Sequence, residues 1–257
     1  MKIISLSENT TTRGFETEHG LSLYIEANNK KILFDFGASD LFCKNAKELG
    51  VDLSLVDFAV LSHGHNDHGG GLQDFLRINS RAPIYINPCA LEPHYNATGK
   101  YIGLDNSIKG NSRLILVDDK LTVDRGITVF NCNSLSLVTP INNCGHTCLQ
   151  DGVPTAEDYS HEQYMLIEDS DKRVLFSGCS HKGIINIMEW IHPSHLIGGF
   201  HFSKLPLGEN LRESAKALDS YGAEYYTCHC TGTEQFEFMK CHMQGLNYLA
   251  CGDEITI

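Results

Sequence analysis

The sequence predicts an α+β chain folded as a four-layer αββα sandwich, on three observations. Short runs rich in β-branched and aromatic residues fill the first two thirds of the 257 residues, and strand-helix alternation takes over after Val174. Several strands, moreover, are apolar at consecutive positions. A strand such as 58–61 or 174–176 is then buried on both faces, which a sheet with helices on one side and a second sheet on the other provides.

In chain order, the strand-like runs are 21–27, 31–36, 56–61, 83–86, 114–117, 127–130, 164–167, 174–177 and 196–198. Helical spacing of apolar residues marks 40–49, 183–191, 210–221 and 234–244. In the third of these Leu211, Ala215 and Leu218 share one face. No low-complexity run or charge block interrupts the chain, and its 7 prolines are scattered, so one domain over 1–257 is expected.

Lys and Arg number 20 against 32 Asp and Glu, a formal charge of −12. That balance argues against a nonspecific nucleic-acid or membrane-surface partner and leaves a small-molecule substrate, held if need be by a local cationic pocket. No stretch approaches the roughly 18 apolar residues of a membrane span. The N-terminal apolar run is too short for a signal-peptide core, so a cytoplasmic protein is expected. The 10 cysteines then read as thiols, metal ligands or core residues rather than a disulfide framework. Nothing in the sequence speaks to oligomeric state.

The chemistry concentrates after strand 56–61, in Ser62-His63-Gly64-His65-Asn66-Asp67-His68-Gly69-Gly70-Gly71. In an extended segment His63 and His65 point the same way and can reach one metal. Asp67 and His68, on the following turn, can reach a second. The glycines let the chain turn sharply into the next helix.

This cluster resembles the His-x-His-x-Asp-His signature of the metallo-β-lactamase superfamily at every defined position. Leu33-Phe34-Asp35-Phe36-Gly37 is similar to the family's early Asp-x-Gly turn, which implies that Asp35 buttresses the metal loop. Gly178-Cys179 stands where the family ends a strand in Gly-Asp, the aspartate bridging both metals. Either Cys179 ligates as a thiolate or the role falls to His181; a packing cysteine is the plain alternative. The family's last histidine is matched by His229 in Tyr225-Tyr226-Thr227-Cys228-His229-Cys230, with Cys228 and Cys230 read as packing residues. A further ligand expected before the Gly-Cys turn has His161 and Glu162 as candidates, and His146 is a weaker one. His201 is expected to contact substrate or handle protons. His19, His94, His192, His195 and His242 receive only surface or packing readings.

Gly178-Cys179-Ser180-His181-Lys182-Gly183-Ile184, Gly198-Gly199-Phe200-His201, Cys228-His229-Cys230-Thr231-Gly232 and Lys100-Tyr101-Ile102-Gly103 resemble one branch of that superfamily. The branch holds an archaeal synthase joining a dihydropterin to a ribofuranosylaminobenzene phosphate, together with bacterial metal-dependent hydrolases. The resemblance implies two divalent metal ions, zinc first and iron or manganese next, held by His63, His65, Asp67, His68, Cys179, His181 and His229. Metal-bound hydroxide would attack a small anionic metabolite, a phosphoester or similar, with Asp67 or His201 as proton handler. Lys182 and the helix N-terminus at Gly183 would assist the anion. The alternatives are the pterin transferase, a di-iron redox protein, and a metal-binding protein without activity.

Overall fold

The computed structural model describes residues 1–150 and 152–257. In chain order the first half forms β1 (Lys2–Ser7), β2 (Ser22–Ala27), β3 (Lys30–Phe34), α1 (Leu41–Glu48), β4 (Phe58–Val60), α2 (Asn66–Gly69), α3 (Leu72–Ile78), β5 (Ile84–Ile86), β6 (His94–Tyr95) and β7 (Leu114–Leu116). The second half forms β8 (Lys120–Asp124), β9 (Ile127–Phe130), β10 (Thr147–Gln150), β11 (Val153–Ala156), β12 (Tyr164–Asp169), β13 (Lys172–Phe176), α4 (Ile184–Ile191), β14 (His195–Gly198), α5 (Glu209–Asp219), β15 (Glu224–Thr227), α6 (Thr233–Lys240), β16 (Leu246–Tyr248) and β17 (Glu254–Thr256).

Two seven-stranded sheets result, ordered β17-β1-β2-β3-β4-β5-β7 and β16-β15-β14-β13-β12-β9-β8, with a small third sheet β11-β10-β6 beside them. Each large sheet is antiparallel on one side and parallel on the other: β3, β4, β5 and β7 run parallel, as do β13 to β16.

The inner faces of the sheets meet in one apolar layer, where Ile25, Ile32, Phe34 and Val60 of the first pack with Val129, Met165, Val174, Phe176 and Ile197 of the second. The Phe34 and Phe176 rings cross that layer at 5.8 Å between centroids, a contact worth about 0.5–1.5 kcal/mol beyond burial. On the outer face of the first sheet Leu33, Ala59 and Ile84 cover Phe42 and Ala46 of α1 and Phe75 of α3. On the outer face of the second, Leu175 and Leu196 cover Ile187 of α4, Leu218 of α5 and Met239 of α6. Val174, Leu175 and Phe176 thus alternate between two apolar layers, the physical reason that strand carries no polar face. The four-layer αββα arrangement is the one the sequence predicts.

All nine expected strands form, with ends within two residues, and three of the four helices do likewise; the fourth ends at Lys240 rather than at 244. The strands outside those nine runs are β1, the half-exposed edge strand β8, the short β6, β15, β16 and β17, and the polar hairpin β10–β11. Their pairing comes from tertiary context, as when β17 closes on β1 at the far end of the chain.

Candidate metal centre

Parallel strands β4, β13, β14 and β15 all end at one edge of the sandwich, and each runs into a loop bearing chemistry-capable side chains. β4 delivers 62–68, β13 delivers 177–181, β14 delivers His201 and β15 delivers His229. The backbone there is strained: Asp35, Ser180, His201 and His229 hold φ of 62°, 59°, 57° and 50°, a left-handed region that non-glycine residues seldom adopt. Gly178 lets the β13 loop lie against the β4 loop, since a Cβ there would collide with the Ser62 hydroxyl. Gly70 lies so close to Ala38 and Asn66 that it admits no side chain either.

Hydrogen bonds fix the tautomers of three histidines. The Asp35 carboxylate accepts the Ser62 N–H (2.7 Å), the Ser62 hydroxyl (2.7 Å) and His68 Nδ1–H (2.7 Å). Ser62 Oγ, its proton given to Asp35, accepts His63 Nδ1–H at 2.9 Å. His229 Nδ1 donates to Asn9 Oδ1 at 2.8 Å. All three rings therefore turn an Nε2 lone pair inward.

His68 Nε2 lies 3.2 Å from His229 Nε2 and 3.1 Å from Cys179 Sγ, and Asp67 Oδ2 lies 3.3 Å from His229 Nε2. Two ring nitrogens facing across 3.2 Å need a cation between them, a shared proton or a metal ion. Nε2 of His63, of His65 and of His161, and both nitrogens of His181, are buried without any hydrogen-bond partner. The donor atoms of His63, Cys179 and His181 lie within 4.8 Å of one another, as do those of His68, Cys179 and His229, so Cys179 belongs to both sets. His63, Asp67 and His68 form a further such set.

His65 is placed differently. Its ring lies 4.7 Å from His63 and 5.0 Å from His181, but the set its donor atom joins is His65, His94, Glu157 and His161, all buried. Glu157 sits between His94 Nδ1 (3.0 Å) and His161 Nε2 (3.3 Å). His161 Nδ1 accepts the Gly64 N–H at 2.8 Å. Glu162 is committed elsewhere: its oxygens accept the backbone N–H groups of His181 (2.7 Å) and Lys182 (3.0 Å) and the Tyr164 hydroxyl (2.7 Å).

Burial dominates the electrostatics. It drives the pKa of His63, His65 and His181 well below the usual imidazole value, and takes His161, His201 and His229 down to about 4. Burial opposes ionisation of Asp67, yet the adjacent His68, His19 and His229 hold its carboxyl well below the carboxylate range. Burial also opposes charge on His68, but Asp35 and Asp67 outweigh it and raise that pKa. Cys179 is pushed well up by burial and by Cys230. The nitrogens of His63, His65, His181 and His229 are thus uncharged, the form that binds a metal, whereas His68 has to give up a proton to bind one.

Several expectations are corrected. His94 is not a packing residue: it is 1% exposed and paired with Glu157 beside His65. His19 is at the surface, but its Nε2 lies 3.3 Å from Asp67 and its ring 4.7 Å from His229. Cys228 does pack, in the inter-sheet layer, whereas Cys230 lines the cleft with Sγ 3.5 Å from the Cys179 carbonyl. The two differ because β15 ends at Thr227 and residues His229–Thr231 form a 3₁₀ turn, so the alternation of a strand does not reach Cys230. Lys182 cannot meet an anion: it is 3% exposed and its ammonium donates to the Glu162 carbonyl. The two N–H groups just before α4 are likewise taken by Glu162. Left-handed backbone at His229 and the Glu157 pairing carry no local sequence signal beyond residue type.

The cleft has a volume of about 430 Å³; His65, Asp67, His146, Cys179, His181 and His201 line it. His201 stands outside the ligand sets, 4.3 Å from His181 between ring centroids, with Cys144 Sγ 3.8 Å from its Nδ1.

Among known proteins, the chain is 28% identical over 241 residues to an uncharacterized protein of Methanocaldococcus jannaschii, covering 88% of this chain and 89% of that one. It is 29% identical over 264 residues to the 7,8-dihydropterin-6-methyl-4-(beta-D-ribofuranosyl)-aminobenzene-5'-phosphate synthase of the same organism, covering 90% and 88%. A crystallised metal-dependent hydrolase of the beta-lactamase superfamily superposes with a TM-score of 0.84 at 27% identity, covering 100% of this chain and 99% of that one. A family model described as the metallo-beta-lactamase superfamily matches residues 16–226, and with the αββα sandwich and the His/Asp/Cys cluster at its strand ends, the chain belongs to that superfamily.

Proposed function

We propose that this protein is a metal-dependent hydrolase of a small anionic metabolite, with two divalent cations held by His63, His65, Asp67, His68, Cys179, His181 and His229. The observation that carries this reading is the facing pair His68 Nε2 and His229 Nε2, 3.2 Å apart, each ring held by an Nδ1 donor bond. The donor set, imidazoles with one carboxylate and one thiolate, suits zinc first and iron or manganese next. Cys179, common to two donor sets, would be within reach of either cation.

When bound, two such cations lower the pKa of a water from about 15.7 toward 7 and stabilise negative charge developing on the substrate. The chain's own residues do the rest. Asp35 and Ser62 lock the rings of His68 and His63 so that Nδ1 faces the support and Nε2 faces inward. Asn9 does the same for His229, and Glu8 accepts the His229 N–H at 2.6 Å, tying the N-terminal segment to the β15 loop. His201, which lines the cleft outside the ligand sets, would be the residue placed to handle the proton that hydrolysis releases. Asp67, facing His229 and His19, serves as ligand rather than proton handler.

A second reading, condensation of a dihydropterin pyrophosphate with a ribofuranosylaminobenzene phosphate, is supported by the 29% identity to the named synthase over most of both chains. Metal content by elemental analysis on untagged protein, with turnover of a phosphoester panel with and without chelator, tests the first reading. Two metals per chain and chelator-sensitive hydrolysis are expected. Bound metal with no hydrolysis, and pyrophosphate release from the pterin substrate, would replace it by the second.

A further inference from the structure

His181 and His201 line the metal cleft, and the same two residues line a second cavity of about 520 Å³. The two spaces differ sharply in charge. Lys100 and Lys204 line the first, with no carboxylate in ion-pair distance of either among the described residues. No Asp, Glu, Lys or Arg lines the second cavity. Its wall is built by Pro140, Ile184, Ile185, Phe200, Phe202 and Leu205, with hydroxyl and amide side chains beside them.

Both volumes fall within the range of small-molecule sites, and a shared wall makes them halves of one site. Two phenylalanines on an uncharged wall favour a flat apolar group over a second anion, whose desolvation nothing there would offset. The apolar arm would enter between α4 and the loop after β14, where Ile185, Phe202 and Leu205 are only half buried.

We infer that the substrate is amphiphilic: an anionic group lies over the metal centre between Lys100 and Lys204, and an uncharged ring-sized arm occupies the second cavity past His201. This rests on the anionic-substrate reading proposed above. The scissile bond would lie near His201, where the two cavities meet.

Binding of two phosphonates to the metal-loaded protein by calorimetry tests it. Methylphosphonate carries only the anion; 1-naphthylmethylphosphonate adds the arm, and neither has a P–O–C ester to cleave. The naphthyl compound is expected to bind about tenfold or more tightly than the methyl compound, on the apolar area its ring buries. Ile185→Trp and, separately, Leu205→Trp fill the cavity from partly exposed positions and should bring the affinity ratio below about threefold. Equal binding of the two phosphonates to the wild-type protein, or a ratio kept in both tryptophan variants, overturns the inference alone. Failure of both phosphonates to bind overturns it together with the anionic-substrate reading.

Discussion

His161 accepts the backbone N–H of Gly64 through Nδ1 at 2.8 Å. Because an amide can only donate, the neutral ring carries its proton on Nε2, where Glu157 lies 3.3 Å away. The residue between the two histidines of the motif is thus pinned by a ring whose other nitrogen is buried without a hydrogen-bond partner, with Glu157 at ion-pair distance.

That pairing makes His161 a positioning residue. His161→Ala leaves the buried Gly64 N–H unpaired, at about 1–3 kcal/mol, and loosens the segment that aims His63 and His65. Metal affinity should fall about 10–100-fold by chelator competition, while saturating metal restores the full stoichiometry. Loss of one metal equivalent at saturation would make His161 a ligand instead.

Asp35→Asn probes the other support. The carboxylate accepts three buried hydrogen bonds at 2.7 Å, and an amide can replace only part of that set. His68 loses the partner that fixes its tautomer, so metal affinity should again drop by about 10–100-fold. Its melting temperature should fall even in the metal-free protein, because the amide nitrogen that replaces one carboxylate oxygen cannot accept from the Ser62 hydroxyl and His68 Nδ1–H. An unchanged metal-free melting temperature would refute the structural half of this account.

How much of this the sequence discloses depends on range. The packed cluster from His63 to His68 declares itself because its ligands share one loop, and Val174-Leu175-Phe176 declares a doubly covered strand because both faces are apolar. The role of Glu157 does not: it lies in a loop, and its meaning arises only when β10–β11 brings it to His94 and His161. The place of Cys230 is hidden because the strand stops at Thr227 and the chain turns left-handed at His229, neither of which the sequence marks. His161 and Glu162 are adjacent in sequence yet serve different loops, one holding Gly64 and the other the start of α4.

Cys179 offers a spectroscopic test. Its thiol is pushed well up in the metal-free protein by burial and Cys230, so coordination must supply the stabilisation that deprotonates it. Cobalt-loaded protein should show a thiolate-to-metal charge-transfer band, and Cys179→Ser should abolish it. Persistence of the band in Cys179→Ser, with loss in Cys230→Ser, would assign the thiolate to Cys230, whose sulfur lies 3.5 Å from the Cys179 carbonyl.

The histidine cluster also sets how stability depends on pH. His161, His201 and His229 have folded pKa values of about 4, and burial holds His63, His65 and His181 well below the ordinary 6.5. In the unfolded chain each returns to about 6.5 and binds a proton the native state refuses. Between those values the unfolded state holds more protons, so unfolding free energy rises with pH. The stability is fully present above about pH 6.5 and drains as pH falls toward 4, at about 1.4 kcal/mol per pH unit for each fully titrating histidine. Chelator-treated protein should therefore melt markedly lower at pH 5 than at pH 7.5. Bound metal, which excludes protons from the same nitrogens, should steepen the loss. A metal-free melting temperature flat from pH 7.5 to 5 would mean that these rings accept protons in the folded state.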